Sequence, residues 1–185
     1  MEVQLKKRLL SVEEYYKMWE AGILAEDDHV ELINGEIVYL SPKGGKHSAC
    51  ISRIAEIIPV ILAGKVIMRI QDPIHCSLHS EPEPDIVLAK RRSDHYESGQ
   101  PGPEDILLVM EVADSSLAVD RNTKLSLYAS SQINEYWVIN LQDSEIEVYQ
   151  EPKGDHYSLR RIYSLDESVP LPMGEHIAVR SILSS

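Results

Sequence analysis

Three charged side chains beside apolar segments could together bind a divalent metal ion and hydrolyse a phosphodiester bond. Asp85 directly precedes the apolar run 86–88, and Glu111 directly follows the run 106–110. Each acid is attached to a segment that predicts a buried strand, where a charge is costly unless it has a partner. Lys124 opens an amphipathic segment and could supply an ammonium group. Two carboxylates and an ammonium group favour a metal-dependent phosphodiesterase site.

The predicted metal is Mg²⁺ or Mn²⁺, because both prefer oxygen ligands in near-octahedral geometry. Asp85, Glu111 and the main-chain carbonyl of Val112 could supply three ligands. Such a metal ion polarises the scissile phosphate and lowers the pKa of a bound water. Lys124 would orient that water or stabilise charge on the phosphate. Glu31 is a further catalytic candidate, as a metal ligand bound directly or through water.

Three other residues are candidates for substrate binding. His47 could contact phosphate or hold a ligand in place, although near a helix start it could equally bond the backbone. Gln71 could line the cleft, or could serve the turn that its neighbour Asp72 begins. Arg121 belongs to a basic cluster with Lys124.

Structural roles compete with the catalytic ones. Asp85 could cap a turn, and Glu111 could form a structural ion pair with Lys124 or Arg121. A lysine on a helix surface is more often solvated than functional. Glu31 could occupy an outward position of an exposed hairpin. The residue types alone leave these alternatives open.

Composition predicts one globular domain spanning residues 1–185. The chain has 43% hydrophobic and 26% charged residues, enough for one well-filled core. The first four residues lack the pattern of a signal peptide, and no apolar run approaches the ~20 residues that cross a bilayer, so we expect a cytoplasmic protein and no membrane. The two cysteines, Cys50 and Cys76, have no metal-type spacing and predict neither a disulfide framework nor a zinc site.

The net charge of −12 opposes a nucleic-acid substrate, because proteins gain affinity for phosphates through lysine and arginine. It lowers, without removing, the expectation of a DNA substrate, since basic groups do cluster locally. The nine tyrosines are dispersed in a chain without phenylalanine. We expect them at the margins of the core rather than in a base-stacking platform.

The elements that must position these residues alternate between helices and strands. A capping-box pattern at Ser11 starts a helix that ends by Gly22, and Asn34-Gly35 predicts a tight hairpin. Further helices are predicted at 51–62, kinked or shortened by Pro59, and at about 120–131. The predicted strands are 29–33, 36–40, 66–70, 74–78, 85–88, 106–112, 135–140, 145–150 and 157–163. This order indicates an α/β or α+β sandwich rather than a barrel or a bundle.

Several motifs between about Ser11 and Tyr149 carry a family resemblance. They are Glu31–Ile37, Ser41-Pro42 followed by His47, Pro84–Ile86, Val109–Val112, Lys124–Tyr128 and Glu135–Ile139. Together they resemble the Uma-two family of restriction-endonuclease-like proteins, part of the PD-(D/E)xK nuclease superfamily. The resemblance implies a central mixed sheet flanked by helices, with an N-terminal helix and hairpin and the acids converging at one sheet edge.

The superfamily pattern places its lysine two residues after the second acid, where this chain has Ala113. The resemblance implies that Lys124, on the following helix, reaches the same place from another element. The function so implied is a metal-dependent endonuclease, acting on DNA as a homodimer. The alternatives are a non-catalytic protein-binding or assembly module that keeps the fold, and a metal hydrolase for a small phosphate ester.

Overall fold

The computed structural model describes residues 7–25, 27–40 and 42–183. Residues 1–4, on which the signal-peptide argument rested, lie outside the described residues. So do Ser41, which belongs to the Ser41-Pro42 motif, and the last two residues of the predicted domain, Ser184 and Ser185. The helices are α1 (Val12–Glu20), α2 (Gly45–Leu62), α3 (Leu117–Val119), α4 (Leu125–Ser130) and α5 (Val179–Ile182). A π-helical turn, Asp120–Lys124, joins α3 to α4. The strands are β1 (Val30–Ile33), β2 (Glu36–Tyr39), β3 (Val66–Ile70), β4 (Ile86–Lys90), β5 (Ile106–Ala113), β6 (Glu135–Asn140), β7 (Glu145–Lys153), β8 (His156–Tyr163), β9 (Ser168–Pro170) and β10 (His176–Ala178).

A six-stranded sheet in the order β3-β4-β5-β6-β7-β8 forms the centre of the described structure. Its neighbouring strands are antiparallel except β5 and β6, which are parallel. A parallel pair needs a crossover connection, and here the helical segment from α3 to α4 supplies it. The crossover therefore carries Lys124 across one face of the sheet.

The central strands β4, β5 and β6 are buried on both faces, so they are apolar almost without interruption. Leu108, Met110 and Val112 of β5 pack in a core with α2 and α5. Val109 and Ala113 point to the other face, where they pack with Tyr128 of α4. Because side chains alternate along a strand, Glu111 lies on this second face with Val109 and Ala113.

The N-terminal helix and hairpin form as predicted. Ser11 caps α1 with a reciprocal capping box, in which its hydroxyl oxygen accepts from the Glu14 N–H and the Glu14 carboxylate accepts from the Ser11 N–H. Asn34 and Gly35 both have positive φ, 50° and 78°, as the two-residue turn between β1 and β2 requires. A side chain at Gly35 would also collide with Leu9, whose Cβ would lie 2.5 Å away.

Three predicted elements need correction. Residues 74–78 are not a strand, because their N–H groups bond the carbonyls of Pro82, Pro101 and Ser80 rather than a neighbouring strand. Helix α2 begins at Gly45, before the predicted start, and continues beyond Pro59 to Leu62. The predicted helix 120–131 starts three residues earlier and contains the π-helical turn.

The C-terminal segment covers the core on the α2 side of the sheet. Val169, Ile177 and Ile182 pack into that core, and the Arg53 Nε donates to the carbonyl of Ile182 at 2.6 Å. Cys50 and Cys76 are both free and buried, in different cores. Within the described ranges, no helix has the length and apolar character to cross a membrane.

Candidate active site

Asp85 and Glu111 meet because their strands pair. The β4–β5 register places Ile86 opposite Met110, so the two acids occupy the next position along the ladder. The Asp85 N–H donates to Glu111 Oε2 at 3.3 Å, and the Val112 N–H donates to Asp85 Oδ2 at 2.9 Å. Backbone hydrogen bonds thus hold both carboxylates at the same end of the β4–β5 pair, and they converge as the family resemblance implied.

Asp85 is held in place by two predicted substrate-binding residues. His47, in the first turn of α2, places Nε2 2.9 Å from Asp85 Oδ2, and the Gln71 amide donates to Oδ1 at 3.2 Å. Burial opposes ionisation, but the hydrogen bonds from His47, Val112 and Gln71 outweigh it and hold the pKa of Asp85 below its usual range. Asp85 is therefore an ionised carboxylate at neutral pH.

Glu111 has the opposite character. It is 3% exposed, and its Oε1 accepts from Lys124 Nζ at 2.9 Å and from the Tyr128 hydroxyl at 2.7 Å. Burial raises the pKa of Glu111 to about 8, against the attraction of Lys124 and with the repulsion of Asp85 and nearby acids. This carboxyl group is poised to lose its proton when a second positive charge arrives.

Lys124 is the last residue of the π-helical turn, and its side chain extends into the site. Its side chain is 8% exposed, and Nζ lies 2.9 Å from Glu111 and 3.4 Å from Glu31 Oε1. Burial alone would lower the pKa of this ammonium group, but Glu111, Glu31 and Asp120 hold it above the usual value. Lys124 is therefore charged and lies between two acids, which contradicts the solvated alternative. Turns of this helical type occur frequently at functional sites.

The acids and the lysine share one cavity of about 370 Å³. Glu31, on β1, is buried, and its Oε2 accepts from the Glu83 N–H at 3.0 Å. Glu31 is thus not on an exposed hairpin face, and it contacts the site through Lys124. Of the predicted site residues, six line this cavity: Glu31, His47, Gln71, Asp85, Glu111 and Lys124. Val112 does not line it and contacts the site through its N–H, which donates to Asp85.

Two residues of the site were missed. Asp120 is 2% exposed, lines the cavity and accepts from the Ser116 hydroxyl at 2.6 Å, and burial raises the pKa of its carboxyl group. Tyr128 donates to Glu111. A signal was available, because Asp120, Lys124 and Tyr128 are spaced four residues apart, which places side chains on one helix face.

Arg121, predicted as a substrate-binding group, does not line this cavity. Its Nε donates to Glu147 Oε1 at 2.7 Å, and Arg160 donates to Glu147 Oε2 at 2.7 Å. Glu147 is fully buried, and although burial opposes ionisation, the hydrogen bonds from Arg121, Tyr149 and Arg160 hold the pKa of Glu147 below its usual value. Arg121 therefore ties the π-helical turn to β7.

We expect Glu147→Ala to lower the free energy of unfolding by about 2–3 kcal/mol, measured by urea denaturation at neutral pH. Removing one partner leaves two guanidinium groups without their carboxylate, and their partial exposure reduces the usual cost. Since the pKa of Glu147 is lower in the folded state than in the unfolded state, its contribution to stability is fully present at pH values above the pKa of the unfolded state. The difference between parent and variant should shrink as the pH falls through the folded pKa.

Glu145→Ala is the matched control. Glu145 lies on the same strand, and its Oε1 is 3.8 Å from Arg121 Nη2. In the described part of the chain, Arg121 donates its hydrogen bonds to Glu147 and not to Glu145. This variant should change stability by less than about 0.5 kcal/mol. Equal losses in both variants would show that Glu147 does not anchor the turn.

The residues present fit a hard divalent cation. Four buried carboxyl groups, those of Glu31, Asp85, Glu111 and Asp120, share the cavity with Lys124, so potential oxygen ligands outnumber the positive charge there. Across residues 7–25, 27–40 and 42–183, no three acidic, histidine or cysteine side chains stand close enough to hold a metal by themselves. Mg²⁺, however, commonly binds one or two carboxylates and completes its shell with water and substrate phosphate. Asp85 and Glu111 meet that requirement.

Comparisons with known proteins identify a family and a fold. A family model described as "Uma2: Putative restriction endonuclease" matches residues 12–180. A crystal structure described as "a putative nuclease belonging to DUF820 from Anabaena variabilis ATCC 29413" has a TM-score of 0.71 and 18% sequence identity, over 95% of this chain and 98% of that chain. At this identity the likeness shows the fold, and it confirms the predicted mixed sheet with its N-terminal helix and hairpin. No curated protein matches the chain.

Proposed function

Because the chain belongs to the Uma2 family, we propose that it is a metal-dependent nuclease that hydrolyses phosphodiester bonds, with DNA as substrate. The observation that carries the proposal is the position of Lys124. Its ammonium group lies 2.9 Å from Glu111, although the sequence position where the superfamily lysine is expected holds the buried Ala113. A lysine that arrives from another element completes the set of two acids and one ammonium group.

In the proposed mechanism, Asp85, Glu111 and the Val112 carbonyl would hold Mg²⁺ or Mn²⁺. When bound, the metal ion polarises the phosphate and lowers the pKa of a coordinated water. Lys124 donates hydrogen bonds to the attacking water or to the phosphate oxygen on which charge develops. Because Lys124 is already fixed between two acids, it needs no reorganisation during the reaction.

The surrounding residues keep these groups in place. His47 and Gln71 bind the two oxygens of Asp85, which orients the carboxylate towards the cavity. Tyr128 and Lys124 both donate to Glu111 Oε1, so Oε2 remains on the side of Asp85. Such outer partners orient metal ligands and tune their basicity.

The test is to incubate the purified protein with supercoiled, linear and single-stranded DNA, in Mn²⁺ and in Mg²⁺. We expect the parent to cleave DNA and Glu111→Ala to be inactive, because the variant loses a metal ligand. Glu56→Ala, which removes an exposed acid of α2, is the matched control and should retain the activity of the parent.

Inactivity of the parent and of both variants on every DNA would oppose the nuclease proposal. It would favour the alternative of a non-catalytic assembly module, which the net charge of −12 suits better than it suits a DNA-binding protein. One site of this kind cuts one strand, so cleavage of both strands of a duplex would require two copies. Sedimentation of the active protein tests that predicted homodimer.

A further inference from the structure

Strand β3 forms one edge of the central sheet, and its outer side has no partner strand. In the described ranges it pairs with β4 alone. Its residues are apolar except for Arg69, and Ile70 is 37% exposed. An apolar edge strand of this kind is a template on which a further strand can pair.

The ladder shows which main-chain groups of β3 face outward. The Gln71 N–H donates to the carbonyl of Asp85, which continues the β3–β4 register by one pair. Because alternate residues of an antiparallel strand bond the same neighbour, the odd-numbered residues of β3 bond β4. The outward N–H and C=O groups therefore belong to Val66, Met68 and Ile70. Outside the ladder, no other main-chain group in the part of the chain that the structure describes bonds them.

The opposite edge of the sheet is protected in a way that β3 is not. Strand β8 carries Arg160 and Arg161, whose side chains are 47% and 63% exposed. Exposed charged side chains on an edge strand discourage pairing with another chain. The charged residue of β3, Arg69, is only 13% exposed and donates to Gln100 of its own chain. Strand β3 is therefore the open edge of this sheet.

One register lets β3 pair with a second copy of itself. In a two-fold dimer that joins two edge strands, the strands run antiparallel and outward-facing residues lie opposite each other. With Met68 opposite its counterpart, Val66 lies opposite Ile70, and the strands pair along their whole length. A shift by two residues would place Arg69 opposite Arg69 in one direction and beside Lys65 in the other, and like charges in such positions are destabilising. The register centred on Met68 avoids both.

We propose that β3 is the interface of a homodimer, in which two copies pair through this strand and their central sheets join into one. The inference rests on the homodimer of the proposed function and not on the cleavage reaction. Each outward pair exchanges main-chain hydrogen bonds, and apolar side chains pack opposite one another. A strand of a different protein is the less suitable occupant, because the strand is complementary to itself. Residues 66–70 do not line the acidic cavity, so the interface and the candidate active site can be disrupted separately.

The first test is sedimentation velocity of the protein without DNA or metal ion. We expect the parent to sediment as a dimer and Ile70→Lys as a monomer, because the variant brings two ammonium groups into the apolar contact. Ile162→Lys is the matched control, since it makes the same change at a 42% exposed position of β8. It should remain a dimer. Circular dichroism of each variant checks that the fold is kept.

Two variants at Met68 test the register. Met68→Pro removes an outward N–H and no hydrogen bond of the β3–β4 pair, a position where an edge strand tolerates proline, and it should sediment as a monomer. Met68→Cys would lie on the two-fold axis, where paired Cα atoms are about 5.5 Å apart, a distance that a disulfide spans. It should form a disulfide-linked dimer on oxidation, whereas Ile162→Cys should not. The native Cys50 and Cys76 are buried.

The outcomes separate the interface from the nuclease function. A monomeric parent would overturn the inference together with the predicted homodimer, and cleavage of DNA by that monomer would leave the nuclease function standing. A dimer that persists in Ile70→Lys, or a Met68→Cys protein that does not cross-link, would place the interface elsewhere and overturn the inference. A dimer that depends on β3 in a protein without cleavage activity would support the interface and oppose the nuclease function.

Discussion

Replacing Lys124 by methionine should slow phosphodiester cleavage by about 10²–10³-fold, the usual cost of removing one preorganised group that stabilises transition-state charge. Methionine keeps much of the length of the side chain and removes only its charge and its donors. The ammonium group is buried and lies 2.9 Å from Glu111 and 3.4 Å from Glu31, so solvent cannot replace it. Single-turnover cleavage at saturating substrate and Mn²⁺ measures the effect, which should appear in kcat rather than in KM.

The same substitution has a consequence for stability. Without Lys124, the buried carboxylate of Glu31 loses its counter-ion and the buried carboxyl group of Glu111 loses a hydrogen-bond donor, which costs about 3–5 kcal/mol. Mn²⁺ should recover part of this loss by supplying positive charge. Lys17→Met, at an exposed position of α1, is the control for loss of one positive charge and should leave both cleavage and stability unchanged. Full cleavage by a folded Lys124→Met protein would make Lys124 a structural counter-ion only.

The sequence predicted those parts of the site in which a charged residue interrupts an apolar strand. Asp85 and Glu111 border runs that have to be buried, so their carboxylates had to find partners inside the protein. The Asn34-Gly35 turn could also be predicted from local sequence, because asparagine and glycine are the residue types that most readily adopt the positive φ that this turn requires. Residues whose position depends on their own strand or turn were therefore predictable.

The structure departs from the sequence-based expectations where distant partners decide the position of a residue. Arginine is a residue type that often binds phosphate. Arg121, however, donates a hydrogen bond to the carboxylate of Glu147, which lies on β7, 26 residues away in the sequence. Residues 74–78 have an apolar pattern typical of a strand, yet their N–H groups bond loop carbonyls, including that of Pro101. Neither partner can be inferred from local periodicity, since both contacts depend on the tertiary arrangement.

Mn²⁺ should raise the melting temperature of the protein, and by more at pH 8 than at pH 6. A ligand that binds only the folded state at one hundred times its Kd adds about 2.7 kcal/mol, or about 5–10 °C for a chain of this length. The site contains more buried carboxylates than cations, so a divalent ion relieves repulsion among them. Metal binding requires Glu111 to be ionised, and burial raises its pKa to about 8. Differential scanning fluorimetry at both pH values measures the shift.

Without metal, the pH dependence of stability should have the opposite sign. An acid whose pKa rises from 4.5 to about 8 on folding keeps a proton in the folded state that the unfolded state releases. The free energy of unfolding therefore falls as the pH rises between these two values, by at most about 1.4 kcal/mol per pH unit for one group. Urea denaturation in EDTA at pH 5, 6, 7 and 8 should show this decline, and Mn²⁺ should remove it.

Two variants assign these effects to Glu111. Glu111→Gln cannot ionise, so its stability should depend less on pH than that of the parent, and Mn²⁺ should no longer raise its melting temperature. Glu135→Gln removes a half-buried acid on β6, outside the cavity, whose pKa is also raised by burial. It should retain the full response to Mn²⁺. If both variants responded to Mn²⁺ like the parent, Glu111 would not be a metal ligand, and its raised pKa would reflect burial beside Lys124 and Tyr128 alone.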